Sequence, residues 1–159
     1  MKYVSIVICH YTHVDDFGGL RGSRSPDRSI MLRQTIESLA KNTTFPCEII
    51  VIDNGGTPDD TDYLVGKVRE GVINILVRNK NNMHFAFAWN QFFRIATGDY
   101  VCFACNDIKY RQGWLSQTIA GLENYLDRKL IATPYITPDK DRPNFNKEVL
   151  SSLLIILPL

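Results

Sequence analysis

Five short apolar runs, separated by stretches with helical periodicity, form the dominant pattern of this chain. Almost every position within the runs is apolar. Such continuous runs are typical of parallel strands that are covered on both faces, since strands with one wet face alternate apolar and polar residues. The predicted strands are Tyr3–Cys9, Glu48–Asp53, Val72–Val77, Val101–Ala104 and Leu130–Tyr135.

Helices are predicted in the segments between these strands. Ser25-Pro26 and Thr57-Pro58-Asp59-Asp60 each place a capping residue before a proline at the first helical position, and the acidic pair suits the helix dipole. Two further helices are predicted over Phe85–Thr97 and Trp114–Leu126. The alternation of strand and helix predicts an α/β fold, an open and mostly parallel sheet with right-handed crossovers and helices on both faces.

Length and charge narrow the class of protein. The chain has 159 residues, 45% of them hydrophobic, which suits one globular domain with a substantial core. Its net charge is only +1, which gives no electrostatic reason to expect a nucleic acid partner. The chain start does not resemble a signal peptide, and no apolar run is long enough to span a bilayer. We therefore expect a cytoplasmic protein, and a peripheral location at the membrane is the alternative.

The cysteines favour packing over chemistry. Of the four, Cys9, Cys47 and Cys102 lie in or beside predicted strands, where a free thiol behaves as a small apolar group. Cys102 and Cys105 have the spacing of a redox or zinc pair, but residues three apart in an extended strand point to opposite faces. The group Cys9, His10 and His13 lacks a second ligand pair at zinc spacing. Metal binding or redox chemistry is the minor alternative at both places.

Carboxylates follow two of the predicted strands. Asp53 ends the second strand before the turn sequence Asn54-Gly55-Gly56, and Asn106-Asp107 follows the fourth. The carboxyl edge of an open α/β sheet is where ligands bind. A carboxylate there suits a hard divalent cation, which neutralises a diphosphate. The alternative is that Asn106 and Asp107 only begin a turn and cap the next helix.

Two regions do not fit a simple alternation of strand and helix. Residues 12–25 form a long Gly- and Arg-rich connection, which is either a plain flexible loop or a source of phosphate ligands through Arg21, Arg24 and Arg28.

Residues 1–137 are predicted to form the main domain, and residues 138–159 a polar linker with an apolar tail. The tail predicts self-association, because an unpaired apolar segment seeks a partner surface.

Taken in order, several segments resemble the family 2 glycosyltransferases, which have the GT-A nucleotide-sugar fold. The resemblance covers Val4 to about Thr137, and it implies a Rossmann-like sheet. The segments that carry it are Val4–Tyr11, Leu32–Leu39, Glu48–Gly55, Asn82–Asn90, Ala96–Val101, Asn106-Asp107 and Gly113-Trp114-Leu115.

The resemblance implies roles for individual residues in binding the sugar donor. Tyr11 and Thr12 would frame the nucleotide base, with the tyrosine ring in position to stack on it. Asp53 would accept a hydrogen bond from the base N–H. Asn82 and Asn90 match the asparagines of a pattern that contacts the nucleoside.

Two positions depart from the family pattern. His84 stands where the family has a glycine, and Cys105-Asn106-Asp107 stands where it has Asp-x-Asp or a variant of it. Asn106 is assigned to the donor nucleotide. Asp107 is then the single acidic match and the predicted ligand of Mg²⁺ or Mn²⁺, together with diphosphate oxygens and water.

The resemblance implies transfer of a sugar from a UDP or dTDP type donor to the hydroxyl of a glycan, a lipid-linked or another acceptor, with inversion. The base that would deprotonate the acceptor is not assigned, and the acceptor half of the family is not evident. The alternative is a catalytically idle nucleotide-binding or scaffold domain. A dinucleotide-binding oxidoreductase is disfavoured, because no Gly-x-Gly-x-x-Gly follows the first strand.

Overall fold

The structure is a computed structural model that describes residues 2–12, 25–123 and 156–158. Strands and helices alternate through the described residues, as the apolar runs predict. In chain order the elements are β1 (Val4–His10), α1 (Ser25–Asn42), β2 (Cys47–Asp53), α2 (Pro58–Arg69), β3 (Ile75–Arg78), α3 (Phe85–Phe92), β4 (Tyr100–Ala104), α4 (Trp114–Glu123) and β5 (Ile156–Pro158).

The strands form one sheet in the order β3-β2-β1-β4-β5. The first four are parallel, and β5 runs antiparallel to β4. The register sets His10 beside Asp53 and Ile8 beside Ala104. The carboxyl ends of β1, β2 and β4 therefore meet at one edge, and the strand order changes direction at β1, which is where open α/β sheets bind ligands.

Each face of the sheet has its own core. On one face, Ile6 and Ile8 of β1 pack with Leu32 of α1, Leu64 of α2 and Leu115 of α4. On the other face, Val7 and neighbouring strand residues pack with Ala88 and Phe92 of α3. The predicted α/β sheet with helices on both faces is confirmed, with three described helices on one side and α3 on the other.

Some element bounds differ from the predicted ones because local hydrogen bonds compete with the regular pattern. α3 ends at Phe92 and not at Thr97, since the Arg94 and Ile95 amides donate to carbonyls three residues earlier, and the Thr97 amide donates to the Glu48 carboxylate at 2.7 Å. β3 begins at Ile75 and not at Val72, since the side chain of Asn74 takes the Ile49 amide at 2.8 Å.

The end of the chain contributes to the sheet. The predicted strand Leu130–Tyr135 lies outside the described residues, as do residues 13–24 of the long connection. Ile156–Pro158, in the predicted apolar tail, pairs with Tyr100–Cys102 of β4. This part of the tail therefore has a partner within the chain. No helix of the described ranges is long and apolar enough to cross a membrane.

His84 has an unusual backbone conformation. Immediately before α3 it adopts φ 61° and ψ 155°, and its side chain makes no capping hydrogen bond. It is the one non-glycine residue with positive φ in the part of the chain that the structure describes. This region of φ and ψ is comfortable for glycine alone. The histidine therefore holds a conformation that suits the glycine expected at this position.

Replacing His84 by glycine should stabilise the protein. The change relieves backbone strain of about 1 to 3 kcal/mol but adds unfolded-state entropy, so we expect a net gain of about 1 kcal/mol in the free energy of unfolding. Urea denaturation measures it. Met83→Gly is the matched control, because Met83 is also exposed and does not have positive φ. A gain in the control as large as in His84→Gly would contradict the strain.

Candidate functional site

The end of β1 is joined to the start of α2 by a threonine hydroxyl. The Thr12 side chain is buried, and its hydroxyl donates to Asp60 Oδ2 at 2.8 Å while it accepts the Thr57 amide at 3.1 Å. Tyr11 is half-buried beside it, and its carbonyl accepts from Arg28 Nη1 at 3.4 Å. Both residues predicted to frame the base therefore lie at the carboxyl edge of the sheet.

Asp60 is fully buried and is the centre of a polar cluster. Its Oδ2 accepts from the hydroxyls of Thr12, Ser29 and Thr57 at 2.8 to 3.0 Å, and it lies 3.3 Å from His10 Nε2. Burial acts to raise the pKa of Asp60. The hydrogen bonds from Thr12, Thr57 and Ser29, together with the nearby His10 ring, outweigh burial and lower the pKa from its usual value. Asp60 is thus an ionised carboxylate that draws β1, α1 and α2 together.

Asp53 is also engaged within the protein. It is buried, its Oδ1 accepts the Gly56 amide at 2.7 Å, and its Oδ2 accepts the Thr61 hydroxyl at 2.8 Å. Arg78 Nε lies 3.7 Å from Oδ2. These contacts fix the direction of the carboxylate, and each of its oxygens has capacity to accept a second hydrogen bond. Its assignment to the nucleotide base stays a prediction.

Side-chain amides hold the loop that carries Asn82. Asn54 Nδ2 donates to Asn82 Oδ1 at 2.9 Å, and Asn54 Oδ1 accepts from Asn79 at 2.9 Å. Gly55 has φ 95°, and a Cβ there would lie 3.0 Å from the Asn82 amide nitrogen. The turn after β2 and the loop after β3 are therefore in close contact, which brings Asn82 to the carboxyl edge.

Asn90 is not brought into this network. It lies on the exposed surface of α3. Among the described residues, no hydrogen bond joins it to the predicted residues at the ends of β1, β2 and β4. Its assignment to the nucleoside also stays a prediction.

Asn106 and Asp107 follow β4 at the same edge. Asn106 Nδ2 donates to His10 Nδ1 at 3.1 Å. Burial raises the pKa of Asp107, although its own backbone amide and the positive charge of Arg28 act in the opposite direction. Asn106 thus contacts the buried His10, and Asp107 is influenced by the positive charge of Arg28. Of Arg21, Arg24 and Arg28, only Arg28 lies within the described residues.

The site supplies few protein ligands for a metal ion. Among the described residues, no group of three or more His, Cys, Asp and Glu side chains is arranged to hold one. Asp53 and Asp60 already accept hydrogen bonds from the protein, and Asp107 remains the predicted metal ligand. Mg²⁺ commonly binds through one or two carboxylates plus substrate phosphates and water. Asp107 therefore fits a cation that arrives with a diphosphate.

His10 and Asp60, the central residues of this edge, are not predicted as site residues from the sequence. His10 is considered there only as part of a metal cluster with Cys9 and His13, and His13 lies outside the described residues. Asp60 is assigned only to the helix dipole. A signal for Asp60 exists, since Thr57-x-x-Asp60 has the spacing of a capping box, and the Asp60 amide donates to Thr57 Oγ1 at 3.3 Å.

Comparisons with known proteins bear on the family and the fold of this chain. The profile of the family described as "Glycosyl transferase family 2" matches residues 28–153, well over half of the chain. No curated protein matches at a significant level. Among solved structures, residues 1–349 of S. aureus TarS have a TM-score of 0.58 at 21% identity, and cover 79% of this chain and 33% of theirs.

Two similar structures carry nucleotide sugars. The same part of S. aureus TarS in complex with UDP-GlcNAc has a TM-score of 0.59 at 22% identity, over 79% of this chain and 32% of TarS. The Pyrobaculum calidifontis mannosyltransferase PcManGT, in complex with GDP-Man and Mn²⁺, has a TM-score of 0.58 at 16% identity, over 73% and 31%. This chain spans about a third of the length of these neighbours.

These similarities define an α/β domain of the GT-A, Rossmann-like class. The chain belongs to glycosyltransferase family 2.

The buried Asp60 cluster should carry a measurable part of the stability. In Asp60→Asn the amide oxygen can take the place of Oδ2 and still accept from the three hydroxyls. The new NH₂ then takes the place of Oδ1, which is buried without a hydrogen-bond partner among the described residues. We expect a loss of about 2 kcal/mol in the free energy of unfolding, the range for hydrogen bonds to a charged group. Asp59→Asn is the control, because Asp59 is exposed in the same helical turn.

This loss should depend on pH. Because the folded protein lowers the pKa of Asp60, the stabilisation by its ionised form is complete above the usual aspartate pKa and disappears as the pH falls through the lowered value. The difference between the parent and Asp60→Asn should therefore narrow in acid. If Asp60→Asn and the control Asp59→Asn lose the same free energy of unfolding at neutral pH, the cluster does not have this stabilising role.

Proposed function

We propose that this chain is the donor-binding region of a glycosyltransferase that transfers a sugar from a UDP or dTDP type donor to an acceptor hydroxyl. Residues 1–137 form the donor domain in this proposal, and residues 138–159 form the linker and tail toward an acceptor half. The observation that carries the proposal is the convergence of β1, β2 and β4 at one edge. There Thr12 and Asn106 are connected through Asp60 and His10, and Asp53 lies beside His10 in the sheet register.

The nucleoside would bind at the ends of β1 and β2. The ring of Tyr11 stacks on the base and Thr12 frames it, while Asp53 accepts the base N–H with an oxygen that the Gly56 amide or the Thr61 hydroxyl already orients. Asn82 and Asn90 lie on the side of β3 and α3 and contact the ribose. The support for this assignment is that one turn contacts both residues: the Gly56 amide donates to Asp53 Oδ1, and Asn54 Nδ2 donates to Asn82 Oδ1.

The diphosphate would bind at the end of β4. The second N–H of the Asn106 amide would donate to its oxygens, Arg28 would offset their charge, and Asp107 would hold Mg²⁺ or Mn²⁺ together with them. The cation when bound would stabilise the negative charge of the departing nucleoside diphosphate. PcManGT, which is solved with GDP-Man and Mn²⁺, supports a metal at this class of site, and TarS with UDP-GlcNAc supports a uridine donor.

The reaction would be an inverting displacement. The acceptor oxygen forms a bond to the anomeric carbon, the bond from that carbon to the diphosphate oxygen breaks, and the acceptor proton passes to a base. No described residue is assigned as this base. That fact favours the alternative, a nucleotide-binding domain without transfer activity of its own, and the two differ only in whether sugar is transferred when an acceptor half is supplied.

Binding of UDP should depend on a divalent cation through Asp107. In titration calorimetry, we expect Mn²⁺ to strengthen UDP binding to the parent protein by about tenfold or more, since a carboxylate next to a diphosphate otherwise repels it. Asp107→Asn should remove this enhancement and leave uridine binding within about twofold. UDP affinity that does not change with Mn²⁺ in the parent would overturn the metal assignment.

Asp99→Asn is the matched control for this experiment. Asp99 is exposed at the opposite end of β4, where its carboxylate accepts the Tyr3 amide at 2.8 Å. The substitution removes the same charge from the opposite flank of β4. It should leave both UDP affinity and its dependence on Mn²⁺ unchanged, so that an effect of Asp107→Asn cannot be assigned to net charge. The same titration with dTDP and GDP separates the donor classes.

A further inference from the structure

We propose that His10 is a positioning residue of the donor site, which fixes the side-chain amide of Asn106 and thereby aligns Asn106 and Asp107 for the diphosphate. The inference rests on the proposed function for the ligand. Its structural part, the hold of His10 on Asn106, concerns the protein alone.

His10 occupies the centre of the carboxyl edge. It is the last residue of β1, the strand between β2 and β4, and its side chain is fully buried. Its two ring nitrogens face different elements. Nε2 lies 3.3 Å from Asp60 Oδ2 of α2, and Nδ1 lies 3.1 Å from Asn106 Nδ2, just after β4. The ring therefore bridges the base side and the diphosphate side of the proposed site.

The charge of Asp60 decides which ring nitrogen carries the proton. An ionised carboxylate only accepts, so it favours a proton on Nε2. The contact is long and poorly aligned for a hydrogen bond, and it acts mainly as an electrostatic preference. Burial lowers the pKa of His10 against the opposing effect of Asp60, which keeps the ring neutral. A neutral ring with its proton on Nε2 has an acceptor at Nδ1.

The acceptor at Nδ1 in turn decides the orientation of Asn106. Only the NH₂ of the amide can donate to it, so the amide nitrogen is turned toward His10 and Oδ1 is turned away from the ring. The flip of Asn106 by 180° would place two acceptors against each other. Asp60 thus sets the orientation of an amide it does not contact, and the same carboxylate also accepts from Thr12. Asp60 therefore positions residues on both the base side and the diphosphate side of the proposed donor site.

A buried histidine that only fills space would predict something different. In that case any polar or apolar side chain of similar size would serve, and the position of its hydrogen-bonding atom would not matter. Two amide substitutions separate the cases. In His10→Asn the Oδ1 atom takes the place of Nδ1 and keeps an acceptor for Asn106, whereas His10→Gln extends its amide toward Asp60 and has no polar atom at the δ position.

The first measurement uses the protein without ligand. With ¹⁵N-labelled histidine at pH 8, we expect the His10 ring to show the pattern of the neutral form with the proton on Nε2. The Asn106 side-chain amide, assigned through Asn106→Asp, should show a hydrogen-bonded proton in the parent and in His10→Asn but not in His10→Gln. A proton on Nδ1, or an Asn106 amide that is the same in all three proteins, would overturn the proposal.

The second measurement compares UDP and uridine binding in the presence of Mn²⁺. His10→Gln should weaken UDP binding by about tenfold, while uridine binding stays within about twofold. His10→Asn should bind UDP nearly as tightly as the parent protein. Equal losses of UDP affinity in both variants, or equal losses of UDP and uridine affinity, would show a merely structural histidine. If the parent binds no nucleotide, the proposed function fails, and the ligand-free measurement still decides whether His10 holds Asn106.

Discussion

The carboxyl edge of this protein depends on one buried charge. Asp60 is removed from solvent, and a carboxylate in that position costs free energy unless donors surround it. Its donors come from the end of β1, from α1 and from the N-cap of α2, so the charge is stable only when these elements are all in place. Through His10 the same charge reaches the residues after β4. The order of the edge is therefore a consequence of satisfying Asp60, and the proposed donor site uses that order.

The amino edge of the sheet offers a comparison. There the buried Glu48 accepts from the Ser5 hydroxyl and from the amide and hydroxyl of Thr97. Gly98 is required beside it, because a Cβ would lie 2.5 Å from the Ser5 amide nitrogen. All three of these donors converge on one oxygen of Glu48, and at the same edge the Asp99 carboxylate accepts the Tyr3 amide at 2.8 Å. The carboxyl edge differs because Asp107 and Arg28 stand beside the buried cluster, which gives it groups that can act on a ligand.

Much of the fold could be predicted from the sequence, because the parallel strands are continuous apolar runs and the helix starts at Ser25 and Thr57 carry local signals. The same rules place Asp53, Asn106 and Asp107 at the carboxyl edge. The contact of His10 with Asp60 could not be predicted, since it joins residues far apart in sequence through burial. Nor could the contact of Thr97 with the Glu48 carboxylate beyond the end of α3, or the pairing of Ile156–Pro158 with β4. Local patterns determine elements, while buried polar contacts between elements determine the site.

Locating a paramagnetic ion on the protein is the most direct test of a nucleotide-sugar site at the carboxyl edge. In ¹H-¹⁵N spectra of the parent with UDP, a substoichiometric amount of Mn²⁺ broadens amide signals near the bound ion. We predict broadening at Asn106 and Asp107, weaker broadening at Thr12 and Asp53, and sharp signals for Gly98 and Asp99. These last residues lie at the other end of the five-residue β4, roughly 16 Å away at about 3.3 Å per residue. Broadening at the amino edge, or no broadening that depends on UDP, would contradict a nucleotide-sugar site at the carboxyl edge.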